Sequence, residues 1–309
     1  MDLERLGIDA SVEGVFPTER LVEALADTPI EVVQVAESGA TLDACQAVVT
    51  LAHREAFLGL DWVHSIQAGV DRFPHDRFRE EGVILTNSSG IHGDVIGETV
   101  AGYVLSFARR LHVHVANQRE RAWRPLEWDA GWTVAGERAC VVGVGSLGRG
   151  VIDRLTGLGM EVVGVRRRPL PEPGLERVYT PDALEEAVAG ARFVVLTVPL
   201  TPETAGLIDA DALAAMDEDA YLINVARGGV LEEDALVDAL EAGTIAGAAL
   251  DVFETEPLPE RSPFWELEDV IVTPHCGSAM AQYYRRVGAI VAESTRRVRA
   301  GEDPVNRVV

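Results

Sequence analysis

The segment Cys140-Val141-Val142-Gly143-Val144-Gly145-Ser146-Leu147-Gly148 constrains this chain more than any other. A β-branched apolar run ends in Gly-x-Gly-x-x-Gly and passes directly into helix-forming sequence, so it reads as strand, tight turn, helix. Gly143 permits the turn, and Gly145 lets the backbone approach a diphosphate. Gly148 lets helix and strand pack closely, while the helix start, with Ser146 and Leu147, presents N–H groups to an anion. Glycines at this spacing recur in many unrelated turns. Here the strand before, the helix after and the next strand-like run, Glu161–Val165, complete a βαβ unit that holds a dinucleotide.

The rest of the chain alternates in the same way. Val12–Phe16, Ile30–Val35, Ala47–Thr50, Val63–Ile66 and Ile84–Asn87 read as short strands, with Glu19–Ala26, Arg54–Leu58 and Pro74–Glu81 as helices or turns between them. A long periodic segment, Gly97–Arg121, reads as one connecting helix. His112 and His114 lie on it two residues apart and so face different ways, which suits a solvated helix end better than a metal pair. Trp123, Trp128 and Trp132 follow and read as packing anchors on a connection. After the glycine turn, strands Phe193–Val198, Ala220–Val225, Ile245–Leu250 and Val270–Thr273 alternate with helices Pro181–Ala189, Ala210–Met216 and Glu232–Glu241. The helical stretch Ala279–Arg299 is long enough to return to the first block. Strand–helix alternation predicts an α/β protein with parallel sheets covered on both faces. At 309 residues two domains are expected, a discontinuous one of residues 1–98 plus 279–309 and a dinucleotide-binding one of residues 99–278.

Charge narrows the partners. Fifty Asp and Glu against 27 basic residues leave a formal charge of −23, so nucleic acid and anionic membranes are excluded as natural partners. Every one of the 27 basic residues is arginine. Acidity combined with the absence of lysine predicts adaptation to multimolar salt, where carboxylates hold water and their mutual repulsion is screened within a few ångströms. No apolar run approaches the ~18 residues of a membrane span, and the start shows no basic-then-apolar leader pattern. Cys45, Cys140 and Cys276 form no spaced cluster, as expected in a reducing, cytoplasmic setting.

The end of the strand after the glycine turn selects the cofactor. A carboxylate there would bond the ribose 2′-hydroxyl of NAD, but the sequence is Val165-Arg166-Arg167-Arg168. With no carboxylate available, Arg166 and Arg167 suit a 2′-phosphate, which favours NADP(H) and leaves NAD(H) possible.

Three further segments fall at predicted strand ends: Ile223-Asn224-Val225-Ala226-Arg227-Gly228-Gly229, Leu250-Asp251-Val252-Phe253-Glu254-Thr255-Glu256-Pro257 and Thr273-Pro274-His275-Cys276-Gly277. Taken singly, Arg227 is a loop cation, Glu256 a surface acid and His275 a capping histidine. In this order after the glycine turn, the sequence from Ile66 to Gly277 resembles the D-isomer-specific 2-hydroxyacid dehydrogenases. It leans to the glyoxylate/hydroxypyruvate reductase branch through Trp123-Arg124-Pro125-Leu126 and the arginine-rich strand end.

That resemblance implies a Rossmann-type cofactor domain, a flavodoxin-like substrate domain and a homodimer. It implies Arg227, Glu256 and His275 as the catalytic set and Asp251 as a nicotinamide carboxamide contact. Ile66-Gln67-Ala68-Gly69-Val70-Asp71 is similar to the family's substrate loop, in which backbone N–H groups of Ala68, Gly69 and Val70 would hold a carboxylate beside Arg227. Pro199 and Thr204, in a cofactor-side loop, complete the implied cofactor contacts with Val225 and Gly277; Thr197 stands where a histidine is common. Arg227 would orient and polarise a 2-oxoacid, and His275, supported by Glu256, would exchange a proton with its carbonyl oxygen. Cys276 reads as a packing residue. The alternative is a cofactor-sensing, corepressor-like binding protein on the same fold. Formate dehydrogenase is disfavoured because Pro274, not glutamine, precedes His275.

Overall fold

Parallel strands buried on both faces are near-continuous apolar runs, and such runs recur along this chain. The computed structural model describes residues 2–36 and 41–309. The chain begins with β1 (Arg5–Asp9), α1 (Thr18–Ala24), β2 (Glu31–Val35), β3 (Ala47–Thr50), β4 (Trp62–Ser65), α2 (His75–Glu81) and β5 (Ile84–Asn87). Helices α3 (Gly93–Ala108) and α4 (Leu111–Arg119) follow. Next come β6 (Arg138–Val142), α5 (Ser146–Gly157), β7 (Glu161–Val165), β8 (Arg177–Tyr179), α6 (Leu184–Val188) and β9 (Phe193–Leu196). The chain ends with α7 (Ala210–Ala214), β10 (Tyr221–Asn224), α8 (Glu233–Glu241), β11 (Gly247–Leu250), β12 (Val270–Val272) and α9 (Tyr283–Arg299).

Two compact units result: Met1–Ile91 with Met280–Val309, and His92–Ala279. The first crossing lies before α3 rather than at residue 98, because α3 belongs with α5. A Cβ on Gly97 would stand 2.2 Å from the Gly150 carbonyl oxygen, and one on Gly150 would stand 1.8 Å from that of Gly93. The two helices therefore touch backbone to backbone.

In the first unit the sheet order is β2-β1-β3-β4-β5, all parallel. One face packs Leu6, Ile8, Val49 and Trp62 against Leu21 of α1 and Val287 and Val291 of α9. The other packs Val48, Val63 and Leu85 against Phe57 and Phe78. The strand expected at Val12–Phe16 is instead a 3₁₀ turn, Ala10–Gly14, and the strand precedes it. Asp9 ends that strand and accepts the Ser11 N–H at 3.0 Å, which starts the turn.

The second unit carries a seven-stranded parallel sheet, β12-β11-β10-β9-β6-β7-β8. Alternate residues supply its two cores: Cys140, Val142, Val194 and Leu196 on one face, Ala139, Val141, Phe193 and Val195 on the other. The strand order reverses between β6 and β9, which places the switch point at the glycine turn.

The single helix expected over Gly97–Arg121 is two helices. Arg110 stands between them in the left-handed region (φ 51°), held by an ion pair from its Nη1 to Asp269 at 2.8 Å. His112 is not at a solvated end. Its Nε2 lies 3.1 Å from Asp269, and its ring meets Phe107 edge-on at 5.3 Å. Of the three tryptophans, only Trp132 packs, stacking on Tyr221 under the Arg192 guanidinium. Trp123 and Trp128 are 97% and 91% exposed, contrary to the expected anchoring. No helix among the described residues is long and apolar enough to cross a membrane.

Candidate active site

The glycine turn has the shape a dinucleotide needs. Gly143 adopts φ 105° and donates its N–H to Val165 O at 2.9 Å. A Cβ on Gly148 would stand 2.0 Å from Gly143 O, whereas one on Gly145 would meet nothing within 4 Å. The open side of Gly145, at the uncapped start of α5, is thus a cradle that a side chain would fill, and it fits a diphosphate. Thr197 donates to Gly143 O at 2.5 Å, which clamps the turn from β9. Its importance was legible only as an odd residue in the cofactor-side loop. In that loop Thr204 donates to Pro199 O at 2.6 Å and accepts the Thr201 N–H at 2.8 Å.

At the far end of the turn, Arg167 and Arg168 are exposed, while Arg166 is half-buried. The expectation that no carboxylate is available there fails. Glu172 lies 3.0 Å from Arg166 Nη1 and takes a two-pronged contact from Arg149. Five loop residues separate Arg166 from Glu172, beyond what a strand-end reading scans.

Arg227, Glu256 and His275 follow the adjacent strands β10, β11 and β12 at their carboxyl ends. His275 Nδ1 lies 2.8 Å from Glu256 Oε2, and Glu256 Oε1 accepts the Phe253 N–H at 3.2 Å. A carboxylate only accepts, so Nδ1 carries the hydrogen and Nε2 is left for a ligand. The Arg227 guanidinium donates to Ala226 O at 2.8 Å. A Cβ on Gly228 would stand 1.9 Å from Phe253 C, so the Arg227 loop presses directly on the loop that carries Glu256.

Asp251, 2% exposed, organises the His275 turn. Its Oδ1 accepts from Thr273 Oγ1 (2.6 Å) and the Cys276 N–H (2.9 Å), and Oδ2 accepts the Gly277 N–H (2.8 Å). The Tyr103 hydroxyl extends the chain to Thr273 at 2.6 Å, and burial pushes its phenol up to about 12. His275 holds φ 51°, a strained value for a non-glycine residue, while its N–H donates to Asp251 O at 2.8 Å. Gly277 accepts Thr99 Oγ1 at 2.8 Å. Val225 is buried behind β10. Cys276 is exposed rather than packed, and partial desolvation, then the Asp251 charge, raises its thiol pKa, so it is no activated nucleophile.

In the first unit the 66–70 loop is held by its carbonyls. Asn87 Nδ2 donates to Ala68 O (2.7 Å), His75 Nε2 to Val70 O (2.9 Å) and the Ser88 N–H to Gln67 O (3.0 Å). Sequence reading missed His64, which lies beneath this loop. Trp62 Nε1 donates to Thr86 Oγ1, which donates to His64 Nδ1; His64 Nε2 donates to Ser88 Oγ, which donates to Ser65 O. Every member is satisfied, and burial drives the His64 pKa down to about 3, so it is a neutral imidazole of fixed tautomer.

A family model, D-isomer specific 2-hydroxyacid dehydrogenase, NAD binding domain, matches residues 101–277. The chain belongs to the D-isomer specific 2-hydroxyacid dehydrogenase family. A glyoxylate reductase of Korarchaeum cryptofilum is 34% identical over 262 residues, covering 82% of this chain and 77% of that protein. A D-3-phosphoglycerate dehydrogenase of Methanocaldococcus jannaschii is 32% identical over 97% of this chain, which spans only 55% of that protein's length. A family crystal structure from Xanthobacter autotrophicus Py2, in complex with NADPH and MES, is 32% identical and superposes with a TM-score of 0.85, covering 99% of this chain and 98% of that one. Both units of this family member therefore share their α/β architecture with a solved relative.

Proposed function

We propose that this chain is an NAD(P)-dependent 2-hydroxyacid dehydrogenase that works as a reductase, turning small 2-oxoacids such as glyoxylate or hydroxypyruvate into D-2-hydroxyacids with NADPH preferred. The observation that carries the reading is the 2.8 Å contact between His275 and Glu256 at adjacent strand ends, in a chain of this family. The bound nicotinamide dinucleotide supplies the hydride to the substrate carbon. His275, protonated, gives its Nε2 proton to the carbonyl oxygen, and in the reverse direction Nε2 takes it back. Glu256 accepts the Nδ1 hydrogen and so leaves Nε2 as the nitrogen that exchanges the proton. Arg227 pairs with the substrate carboxylate and polarises the ketone. Within the first unit, the bonded carbonyls of Gln67, Ala68 and Val70 support a reading of the Ala68, Gly69 and Val70 N–H groups as donors for an anion.

Arg166 and Arg167, together with the NADPH complex of the Xanthobacter relative, support NADPH. A homodimer is supported by Trp123 and Trp128, two large indoles left exposed among the described residues. The test is a panel of 2-oxoacids with NADPH and NADH, followed by absorbance, with light scattering for subunit number. Oxidation of NADPH by at least one 2-oxoacid, abolished in Arg227→Ala, is expected; no turnover across the panel removes the proposal.

A further inference from the structure

The ribose end of the dinucleotide turn contains a carboxylate fixed by two guanidinium groups from two different elements. Arg149, in the first turns of α5, grips Glu172 through Nε and Nη2 at 2.6 and 3.1 Å. Arg166, the first residue after β7, reaches the same carboxylate through Nη1 at 3.0 Å. The Glu172 and Arg166 side chains are only 12% and 22% exposed, unlike an ordinary surface pair. The Arg149 contact, then Arg166, keep the Glu172 carboxyl below its usual range. The arginine on which a 2′-phosphate would rely is therefore already engaged.

We propose that Glu172 is the specificity-determining residue for the cofactor, a carboxylate that holds Arg166 and restrains the preference for a 2′-phosphorylated ribose. The inference rests on the dinucleotide reading above. To pair with Arg166, a 2′-phosphate must take the guanidinium from Glu172 and then bear the repulsion of a carboxylate that Arg149 still anchors. An unphosphorylated ribose meets no such repulsion and finds in Glu172 an acceptor for its 2′-hydroxyl, the role a strand-end acid otherwise fills. Arg149 sets the balance: the more firmly it draws Glu172 to α5, the more of Arg166 is left for phosphate.

The two residues predict shifts of opposite sign, measured as binding of 2′,5′-ADP and 5′-AMP by calorimetry, with no turnover involved. Glu172→Gln should raise the ratio of 2′,5′-ADP to 5′-AMP affinity by about tenfold, the worth of one charged hydrogen bond. Arg149→Met, which leaves Glu172 wholly to Arg166, should lower that ratio, and it carries the test if Glu172→Gln does not fold. A ratio within about twofold of wild type, or shifts of the opposite signs, overturns the role of Glu172. Wild-type protein that binds neither nucleotide overturns the dinucleotide reading along with it.

Discussion

His275 Nδ1 and Glu256 Oε2 stand 2.8 Å apart, and Glu256 is itself anchored by the Phe253 N–H. The imidazole is thus oriented before any substrate arrives. His275→Ala should lower turnover by about 10²–10⁴-fold while the affinity for NADPH stays within about twofold. Glu256→Gln can turn the ring to the other tautomer and should lower turnover by about 10²-fold. Steady-state kinetics with fluorescence titration of NADPH checks both; near-normal turnover in His275→Ala would remove it from the chemistry.

Asp251 accepts three hydrogen bonds from the turn that carries His275. Asp251→Asn replaces one acceptor oxygen with an NH₂ group that faces donors. A loss of about 1–3 kcal/mol is expected, read in urea unfolding, together with reduced turnover as the turn relaxes. An unchanged midpoint would show that the turn holds without this carboxylate.

Gly150→Ala would place a methyl group 1.8 Å from Gly93 O in the α3–α5 contact. Helices cannot part locally at such a contact, so destabilisation of about 1–3 kcal/mol or more is expected. Gly102→Ala, on α3 with nothing within 4 Å of the added methyl, is the matched control. It should be neutral or stabilising by up to about 1 kcal/mol. Equal effects in the two variants would refute the close contact.

His64 makes stability depend on acid. Its pKa falls from 6.5 to about 3 on burial, so between those values the unfolded chain binds a proton that the folded chain does not. The stabilisation is complete above pH 6.5 and is lost as pH falls toward 3, at up to about 1.4 kcal/mol per pH unit. His64→Gln should flatten this segment of the stability–pH profile. A slope that survives the substitution would assign it to other groups.

The formal charge of −23, with arginine as the sole cationic side chain apart from histidine, underlies the proposed salt adaptation. The melting temperature should rise steadily as potassium chloride goes from about 0.1 M to about 1 M, as the Debye length falls from about 10 Å to about 3 Å. A flat or falling curve would leave the composition to codon usage.

Strands Ala47–Thr50 and Ile84–Asn87 were legible to the residue because each opens on β-branched or aliphatic residues suited to a buried strand and ends at polar residues, Thr50 and Thr86-Asn87. Strand Arg5–Asp9 was not, since its Gly7 leaves a gap in the pattern. That gap exists because a Cβ there would meet Val35 at 2.6 Å. The break at Arg110 carries neither glycine nor proline; the residue there instead pairs with Asp269, far along the chain. Asp251 could be read only by resemblance, whereas the structure shows it as the hub of the His275 turn. Glu172 was invisible for the same reason as Asp269: side chains brought together by folding leave no local spacing to read.

Trp123 and Trp128 have a practical consequence. Of the other three tryptophans, Trp62 is fully enclosed, Trp132 stacks on Tyr221 and Trp265 is 53% exposed, so these two indoles contribute the largest share of the intrinsic fluorescence that acrylamide can quench. Any molecule that settles over that segment will shift the emission to shorter wavelength and shield it from quencher. In a protein without lysine side chains for amine-directed dyes, association at this surface can be followed with no label at all.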